Sequence, residues 1–257
     1  TAQGYTIEHV REFPKGEPEE ITFWSKISIL KDEQTLFSTE EAELFSGFYV
    51  GEVADWIKDA EDLKNRAIVD ITGNGIPEVI LQGYSGGSHC CHHIYLIELD
   101  EPLKFLLNLE TGNDGIAFED LNKDGVMEIE TRDDVFTYWN TSFAASPMPE
   151  VVLSLKDGKY KANATFMRKP APTDKEIREM AEAVKSWSSS AGPEVAWKYA
   201  IDLIYSGNIV SAKKYIDLAW RENNAGDFNT KDNFWKELKE QIHQSPYYSD
   251  LSSYFGL

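Results

Sequence analysis

The sequence has little cysteine, few basic residues and no long apolar run. Its two cysteines, Cys90 and Cys91, are adjacent, so they cannot form a framework of disulfides between distant segments. No apolar stretch approaches the roughly 18 to 20 residues that a membrane-spanning helix needs, so we expect no membrane insertion. Because the sequence starts at Thr1, without an initiator methionine or a signal-type segment, we expect a processed or trimmed chain.

Acidic residues outnumber basic ones by 44 to 25, which gives a formal net charge of -19. Such a surface repels phosphate backbones and anionic membranes, so we expect no nucleic-acid partner. The same charge suits a protein that holds cations, although acidity that only keeps the chain in solution is an equally open interpretation. Hydrophobic residues make up 42% and aromatic residues 12% of the chain, which predicts a folded globular protein.

The first two-thirds of the sequence has the pattern of a sheet. Short runs rich in β-branched and aromatic residues, separated by Gly and Asn turns, predict strands at residues 21–30, 66–69, 78–84, 92–99, 128–131, 135–139 and 150–155. Asp157 and Gly158 predict a tight hairpin turn into a further strand at 159–162. Residues 40–56 are less regular, and we expect a short helix there.

The last third changes to helical patterns after a proline-containing linker at 167–172. Thr173 and Glu176 form the capping-box pattern that opens a helix. The predicted helices are 173–187, 193–205, 208–221 and 232–243. The sequence therefore predicts an α+β fold: a β-rich domain of propeller-like hairpins at 1–166, followed by an α-helical domain at 167–257.

Residues 120–128 fit the pattern D-x-N-x-D-G-x-x-E, which is typical of a calcium loop. Oxygen donors at alternate positions of a tight loop converge on one point, and calcium prefers several oxygen ligands. The candidate ligands are Asp120, Asn122, Asp124, the backbone carbonyl of Val126, and Glu128. An EF-hand is disfavoured because Thr131 occupies its twelfth position. An Asx-rich turn without metal is the other open interpretation.

Residues 70–78 repeat this spacing fifty residues earlier. The corresponding candidate ligands are Asp70, Thr72, Asn74, the backbone carbonyl of Ile76, and Glu78. Only two of these positions carry a carboxylate, so we expect any ion here to bind more weakly. A loop that keeps the shape without the metal is the alternative.

Both segments resemble the calcium loops of FG-GAP (integrin-type) and VCBS-type β-propeller repeats. Those families generally carry Asp at the positions of Glu78 and Glu128, and two copies are too few for a closed propeller. The resemblance implies calcium-stabilised β-hairpins rather than a full propeller. Because many such repeats belong to integrins and to secreted or surface-exposed bacterial proteins, it also implies a periplasmic or secreted location by analogy.

The segment His89-Cys90-Cys91-His92-His93 concentrates metal-binding and reactive side chains. A zinc or copper site is one interpretation, although alternate side chains of a strand face opposite ways, so the chain would have to bend. A Cys nucleophile beside a His base is a second, although no third, orienting residue stands at a recognisable spacing. The third interpretation, which we favour, is structural: a vicinal disulfide, or two thiols on opposite faces with hydrogen-bonded histidines.

Residues 207–219 resemble the middle of a tetratricopeptide repeat, in which small residues lie where two helices approach closely. Ala212 and Ala219 are the small residues here, with Tyr215 packing between the helices. Residues that complete this face on the preceding helix are Trp197, Ala200 and Ile204. The resemblance implies a protein-binding surface, whereas an ordinary helical hairpin remains open because one repeat is visible.

The sequence contains no recognisable set of nucleophile, base and orienting residue. It therefore predicts a non-enzymatic, calcium-stabilised binding or scaffold protein in the periplasm or outside the cell, with another protein as its partner. The oligomeric state stays open. The alternative is a metal-dependent or thiol-dependent hydrolase centred on His89-Cys90-Cys91-His92-His93.

Overall fold

The computed structural model describes residues 4–12, 23–43, 49–50, 68–87, 90–186, 194–220, 228 and 230–256. Within these ranges, antiparallel sheets occupy the N-terminal part and helices the C-terminal part, as the α+β prediction requires. The described strands form three open sheets, and no closed propeller is among them.

The first sheet contains three antiparallel strands in sequence order: β1 (Tyr5–Glu12), β2 (Phe23–Lys31) and β3 (Gln34–Glu43). Strand β2 confirms the strand predicted at 21–30. A two-residue turn at Asp32 and Glu33, both with positive φ, joins β2 to β3. Such turns match the natural twist of the two strands they connect.

The second sheet contains five strands: β4 (Tyr49–Val50), β5 (Ile68–Val69), β6 (Glu78–Gly87), β7 (Cys90–Glu98) and β8 (Lys104–Gly112). Its order is β4-β6-β7-β8, with β5 also paired to β6. The β6–β7 pair is antiparallel and places Glu78 opposite Glu98. A hydrophobic core joins residues of the first and second sheets, namely Tyr5, Ile27, Ile29, Val79, Leu81, Ile97 and Leu99.

The third sheet has the order β12-β11-β10-β9. Its strands are β9 (Ala117–Glu119), β10 (Glu128–Arg132), β11 (Glu150–Lys156) and β12 (Lys159–Ala162). Asp157 and Gly158 both have positive φ between β11 and β12, which confirms the predicted hairpin turn.

In the described part of the chain six α-helices follow: α1 (Ala164–Met167), α2 (Asp174–Ser186), α3 (Glu194–Tyr205), α4 (Ile209–Ala219), α5 (Lys231–Ile242) and α6 (Tyr248–Phe255). The capping box before α2 is present, because the Thr173 backbone N–H donates to Glu176 Oε2 at 2.7 Å. Within the described ranges, none of the helices is both long enough and apolar enough to cross a membrane.

One sequence prediction is wrong. Residues 135–139 were expected to form a strand, but a 3-10 turn spans Asp134–Phe136 because the Asp133 side chain accepts the Val135 N–H. The short helix expected within 40–56 stays a prediction, because the structure describes only residues 40–43 and 49–50 of that range, which lie in β3 and β4. The remaining residues of that range lie outside the described part.

By compactness the chain divides into unit 1, Thr1–Glu130 with Ser154–Tyr160, and unit 2, Thr131–Leu153 with Lys161–Leu257. Both candidate calcium loops belong to unit 1. The last strand ends at Ala162 and the first helix begins at Ala164, close to the position where the sequence changes character. The domain limits 1–166 and 167–257 stay a prediction.

A buried carboxylate stabilises unit 2. Asp133 is fully buried, and its Oδ2 accepts hydrogen bonds from the Tyr205 hydroxyl at 2.6 Å and the Ser245 hydroxyl at 2.5 Å. Burial raises the pKa of Asp133, whereas these hydroxyls and the Val135 N–H oppose the rise. Because every one of these donors faces the same carboxylate, Asp133 joins the 3-10 turn to α3 and to the segment before α6.

Candidate calcium loops

The two candidate loops occupy equivalent places in antiparallel pairs of strands. Residues 70–78 connect β5 to β6, where Val69 pairs with Glu78. Residues 120–128 connect β9 to β10, where Glu119 pairs with Glu128. In each pair, the residue before the loop lies opposite the ninth loop residue, so the two loops close in the same register.

The loops also share an unusual backbone conformation. At the fourth position φ is 68° for Gly73 and 62° for Lys123, and at the sixth position it is 85° for Gly75 and 90° for Gly125. The left-handed region is costly for a residue with a side chain, so its use by Lys123 indicates that the loop imposes it. The two loops that repeat in sequence therefore share the same backbone conformation at these positions.

The first-position aspartates are held by the loop backbone in the same way. Asp70 accepts the N–H groups of Asn74 at 3.1 Å and Gly75 at 2.9 Å. Asp120 accepts those of Asp124 at 3.1 Å and Gly125 at 3.0 Å. A carboxylate offers about four lone-pair positions, so each aspartate keeps acceptor capacity beyond these two bonds.

The side chains at the third and fifth loop positions make different contacts in the two loops. In the later loop, Asn122 Nδ2 donates to Asp124 Oδ2 at 2.9 Å, so the third and fifth positions lie within hydrogen-bonding distance. In the earlier loop, the Thr72 hydroxyl donates to Glu78 Oε1 at 2.9 Å, and Asn74 Oδ1 accepts the Ile76 N–H at 2.7 Å. The third-position donor of the earlier loop is therefore directed at the ninth position.

Both ninth-position glutamates turn back onto the second residue of their loop. Glu78 Oε2 accepts the Ile71 N–H at 2.7 Å, and Glu128 Oε2 accepts the Leu121 N–H at 2.9 Å. Both residues are buried, with exposed fractions of 0% and 3%. Each carboxylate therefore closes its loop in addition to being a candidate ligand.

Burial and like charge disfavour ionisation of these glutamates. Burial, with smaller contributions from Asp70 and Glu98, raises the pKa of Glu78 to about 7. Burial also raises the pKa of Glu128, and Asp124 and Asp120 add to the rise. Negative charge is therefore concentrated in both loops, and a bound cation would relieve this repulsion.

One carboxylate at the earlier loop was not predicted from the sequence. Glu98 Oε2 accepts from Asn74 Nδ2 at 2.6 Å, and Glu98 Oε1 accepts from Lys104 Nζ at 2.8 Å. Glu98 is only 3% exposed. It reaches the loop because β7 runs antiparallel to β6 and places Glu98 beside Glu78. The only sequence signal for this residue was an acidic side chain at the end of a predicted strand.

The donor types of the later loop are those that calcium prefers. Three carboxylates, one side-chain amide and one main-chain carbonyl lie within nine consecutive residues, and calcium takes six to eight such oxygens. No group of three His, Cys, Asp or Glu side chains in the described part of the chain is arranged to hold a metal. Asp120, Asp124 and Glu128 of the later loop are therefore not assembled as such a group.

The His-Cys segment is described only in part, since His89 and the Cys90 side chain lie outside the described residues. Cys91 is disulfide-bonded, and the chain has one other cysteine, Cys90. His92 Nδ1 lies 2.7 Å from Gln82 Nε2, and His93 Nε2 lies 2.6 Å from Asn108 Oδ1. Burial lowers the pKa of His92. These two histidines therefore contact amides on different neighbouring strands, β6 and β8.

No protein-family model, curated protein or solved structure matches this chain. The resemblance to FG-GAP and VCBS-type repeats therefore stays a prediction. The prediction of calcium binding depends on the pair of loops at 70–78 and 120–128.

Proposed function

We propose that this chain is a non-enzymatic, calcium-stabilised binding or scaffold protein of the periplasm or the extracellular space. One observation carries the calcium part: the two loops share strand register, positive φ at positions four and six, and backbone bonds to the first and ninth side chains. The location follows from the family resemblance alone.

In this proposal the later loop holds the tighter ion. Its ligands are Asp120, Asn122, Asp124, the carbonyl of Val126, and Glu128. The earlier loop uses Asp70, Thr72, Asn74, the carbonyl of Ile76, and Glu78. Calcium supplies positive charge that offsets the loop carboxylates, and it stabilises the folded state because the unfolded chain has no assembled site.

The binding or scaffold role is proposed from the helical part of the chain. The helices α3 and α4 form a hairpin whose tetratricopeptide-like residues are all buried, namely Trp197, Ala200, Ile204, Ala212, Tyr215 and Ala219. Their burial is compatible with the resemblance, but an ordinary hairpin would also bury them. A protein partner would therefore contact the outer side chains of these helices, of which Val210 is 78% exposed.

The alternative, a metal-dependent or thiol-dependent hydrolase at residues 89–93, has less support. A disulfide-bonded Cys91 has no thiolate, which is the form that a cysteine nucleophile needs. Of the described histidines, His92 lies within hydrogen-bonding distance of the Gln82 amide and His93 within that of the Asn108 amide.

Thermal denaturation of metal-stripped full-length protein tests the proposal, with calcium, magnesium or zinc added separately. We expect calcium to raise the melting temperature, since a ligand at one hundred times its Kd stabilises by about 2.7 kcal/mol. The rise should shrink in Asp120→Ala and Asp124→Ala, and it should persist in Glu237→Ala, which removes an exposed carboxylate of α5. A rise with zinc alone would contradict the proposal and favour the hydrolase.

A further inference from the structure

The two loops are in direct backbone contact within unit 1. A Cβ atom placed on Gly73 would lie 2.7 Å from the carbonyl oxygen of Gly125, closer than real Cβ atoms approach any atom. Gly75, the other glycine of the same loop, would meet nothing within 4 Å. The absence of a side chain at position 73 therefore allows the later loop to pack on the earlier one.

One hydrogen bond joins the loops at the centre of this contact. The Met127 N–H donates to the Ile71 carbonyl at 3.0 Å. That N–H and the carbonyl of Val126 belong to the same peptide group, and Val126 is the proposed main-chain ligand of the later loop. A single rigid peptide thus has one end at the later site and the other end on the backbone of the earlier loop.

A second hydrogen bond connects Ile71 to a proposed ligand of the earlier loop. Ile71, whose carbonyl accepts from Met127, donates its own N–H to Glu78 Oε2 at 2.7 Å. The Ile71 carbonyl shares a peptide group with the N–H of Thr72, whose hydroxyl donates to the other oxygen of Glu78. Proposed ligands of the two loops are therefore connected through two hydrogen bonds and the intervening peptides.

Tyr160 fixes the position of this connection. Its hydroxyl donates to the Met127 carbonyl at 2.8 Å, and the side chain is only 6% exposed. The Val126–Met127 segment is therefore bounded on one side by the earlier loop and on the other by a buried tyrosine.

We propose that the two loops bind calcium as a coupled pair, so that occupation of the Asp120 loop raises the calcium affinity of the Asp70 loop. This inference rests on the calcium binding proposed above. An ion on the Val126 carbonyl polarises that peptide and fixes its orientation, which strengthens the bond from Met127 to Ile71. The earlier loop is then ordered before its own ion arrives, so its binding costs less conformational entropy.

Coupling between binding sites is reciprocal, which gives the proposal a strict test. Isothermal titration calorimetry of the metal-stripped full chain should show two sites in the wild type. In Asp124→Ala the remaining Asp70 loop should bind calcium about fivefold or more weakly than in the wild type. In Asp70→Ala the remaining Asp120 loop should weaken by the same factor.

Two glycine variants separate the contact from backbone strain. Gly73→Ala and Gly75→Ala both place a side chain at positive φ, but only Gly73→Ala meets the Gly125 carbonyl. We expect Gly75→Ala to retain the coupling and Gly73→Ala to bind two ions independently. Hydrogen exchange at the Met127 amide gives a second readout, since calcium should slow it in Asp70→Ala.

Three outcomes would contradict the coupling, its sign or the proposed function. Unchanged affinity of each loop when the other is disabled would overturn the coupling and leave the proposed function intact. Weaker binding in the wild type than in the single-loop variants would overturn the proposed sign. Absence of calcium binding at either loop would overturn the proposed function, and the coupling with it.

Discussion

Replacing Asn74 by aspartate gives the earlier loop the same fifth-position carboxylate as the later one. Asn74 and Asp124 are equivalent in spacing and in their bonds to the residue two positions on. They differ in surroundings, because the Asn74 amide donates to the buried Glu98 at 2.6 Å. Asn74→Asp should therefore destabilise the calcium-free protein and increase its dependence on calcium.

The size of this effect follows from the contact with Glu98. The substitution removes a hydrogen bond to a charged acceptor, worth about 1.5 to 3 kcal/mol, and adds a like charge. Two unit charges 4 Å apart repel by about 4 kcal/mol at an effective dielectric constant of 20. Because residue 74 is exposed, the new carboxylate can rotate toward solvent, and Lys104 offsets part of the repulsion. We expect a net loss of about 2 to 4 kcal/mol.

Urea denaturation with and without calcium measures this prediction. Asn74→Ala is the matched control, since it removes the amide without adding charge, so it should cost less and should weaken calcium binding. Asn74→Asp should bind calcium about tenfold more tightly, because ligand charge sets the affinity of such loops. If Asn74→Asp proves as stable as the wild type without calcium and binds it no more tightly, the account of the earlier loop is refuted.

Further predictions concern stability and involve three residues. Asp133→Ala should lower the free energy of unfolding by about 3 to 5 kcal/mol, because it leaves the Tyr205, Ser245 and Val135 donors without their carboxylate. Burial raises the pKa of Asp133 in the folded state, so the protonated carboxyl group adds stability at acid pH, and that stability is lost as the pH rises through the folded-state pKa. In urea unfolding curves recorded over a series of pH values, Asp133→Asn should flatten this pH dependence. Tyr160→Phe should cost about 1 to 2 kcal/mol by the same assay, through loss of its bond to Met127. Lys123→Gly should stabilise the calcium-free protein by about 0.5 to 1 kcal/mol, because φ at this position is 62°; a lower melting temperature would contradict that explanation.

Local signals predicted the parts of the fold that local chemistry determines. Asp157 and Gly158 predicted a hairpin turn because both residues tolerate positive φ, and Thr173 with Glu176 predicted the start of α2 because their side chains cap its backbone. The repeat of the loop spacing predicted two equivalent backbones. In each case the residues that decide the structure are within nine positions of one another.

Contacts between distant residues explain what the sequence did not predict. Residues 135–139 have strand-like composition, but Asp133 caps a 3-10 turn there. Its carboxylate also accepts hydrogen bonds from the hydroxyl groups of Tyr205 and Ser245. Glu98 reaches the earlier loop only through the register of β6 with β7. The contact between the loops likewise depends on Gly73 and Gly125 meeting across unit 1, which spacing along the chain cannot reveal.

Native mass spectrometry of the metal-stripped full chain, with calcium added back, tests the central claim most directly. The account predicts two calcium ions per wild-type chain, and one in the double variant Asp120→Ala/Asp124→Ala. Magnesium at the same concentration should not reproduce this stoichiometry, because it prefers a rigid octahedral site that retains several waters. A wild-type chain that binds no calcium, or a double variant that binds as much as the wild type, would contradict the account.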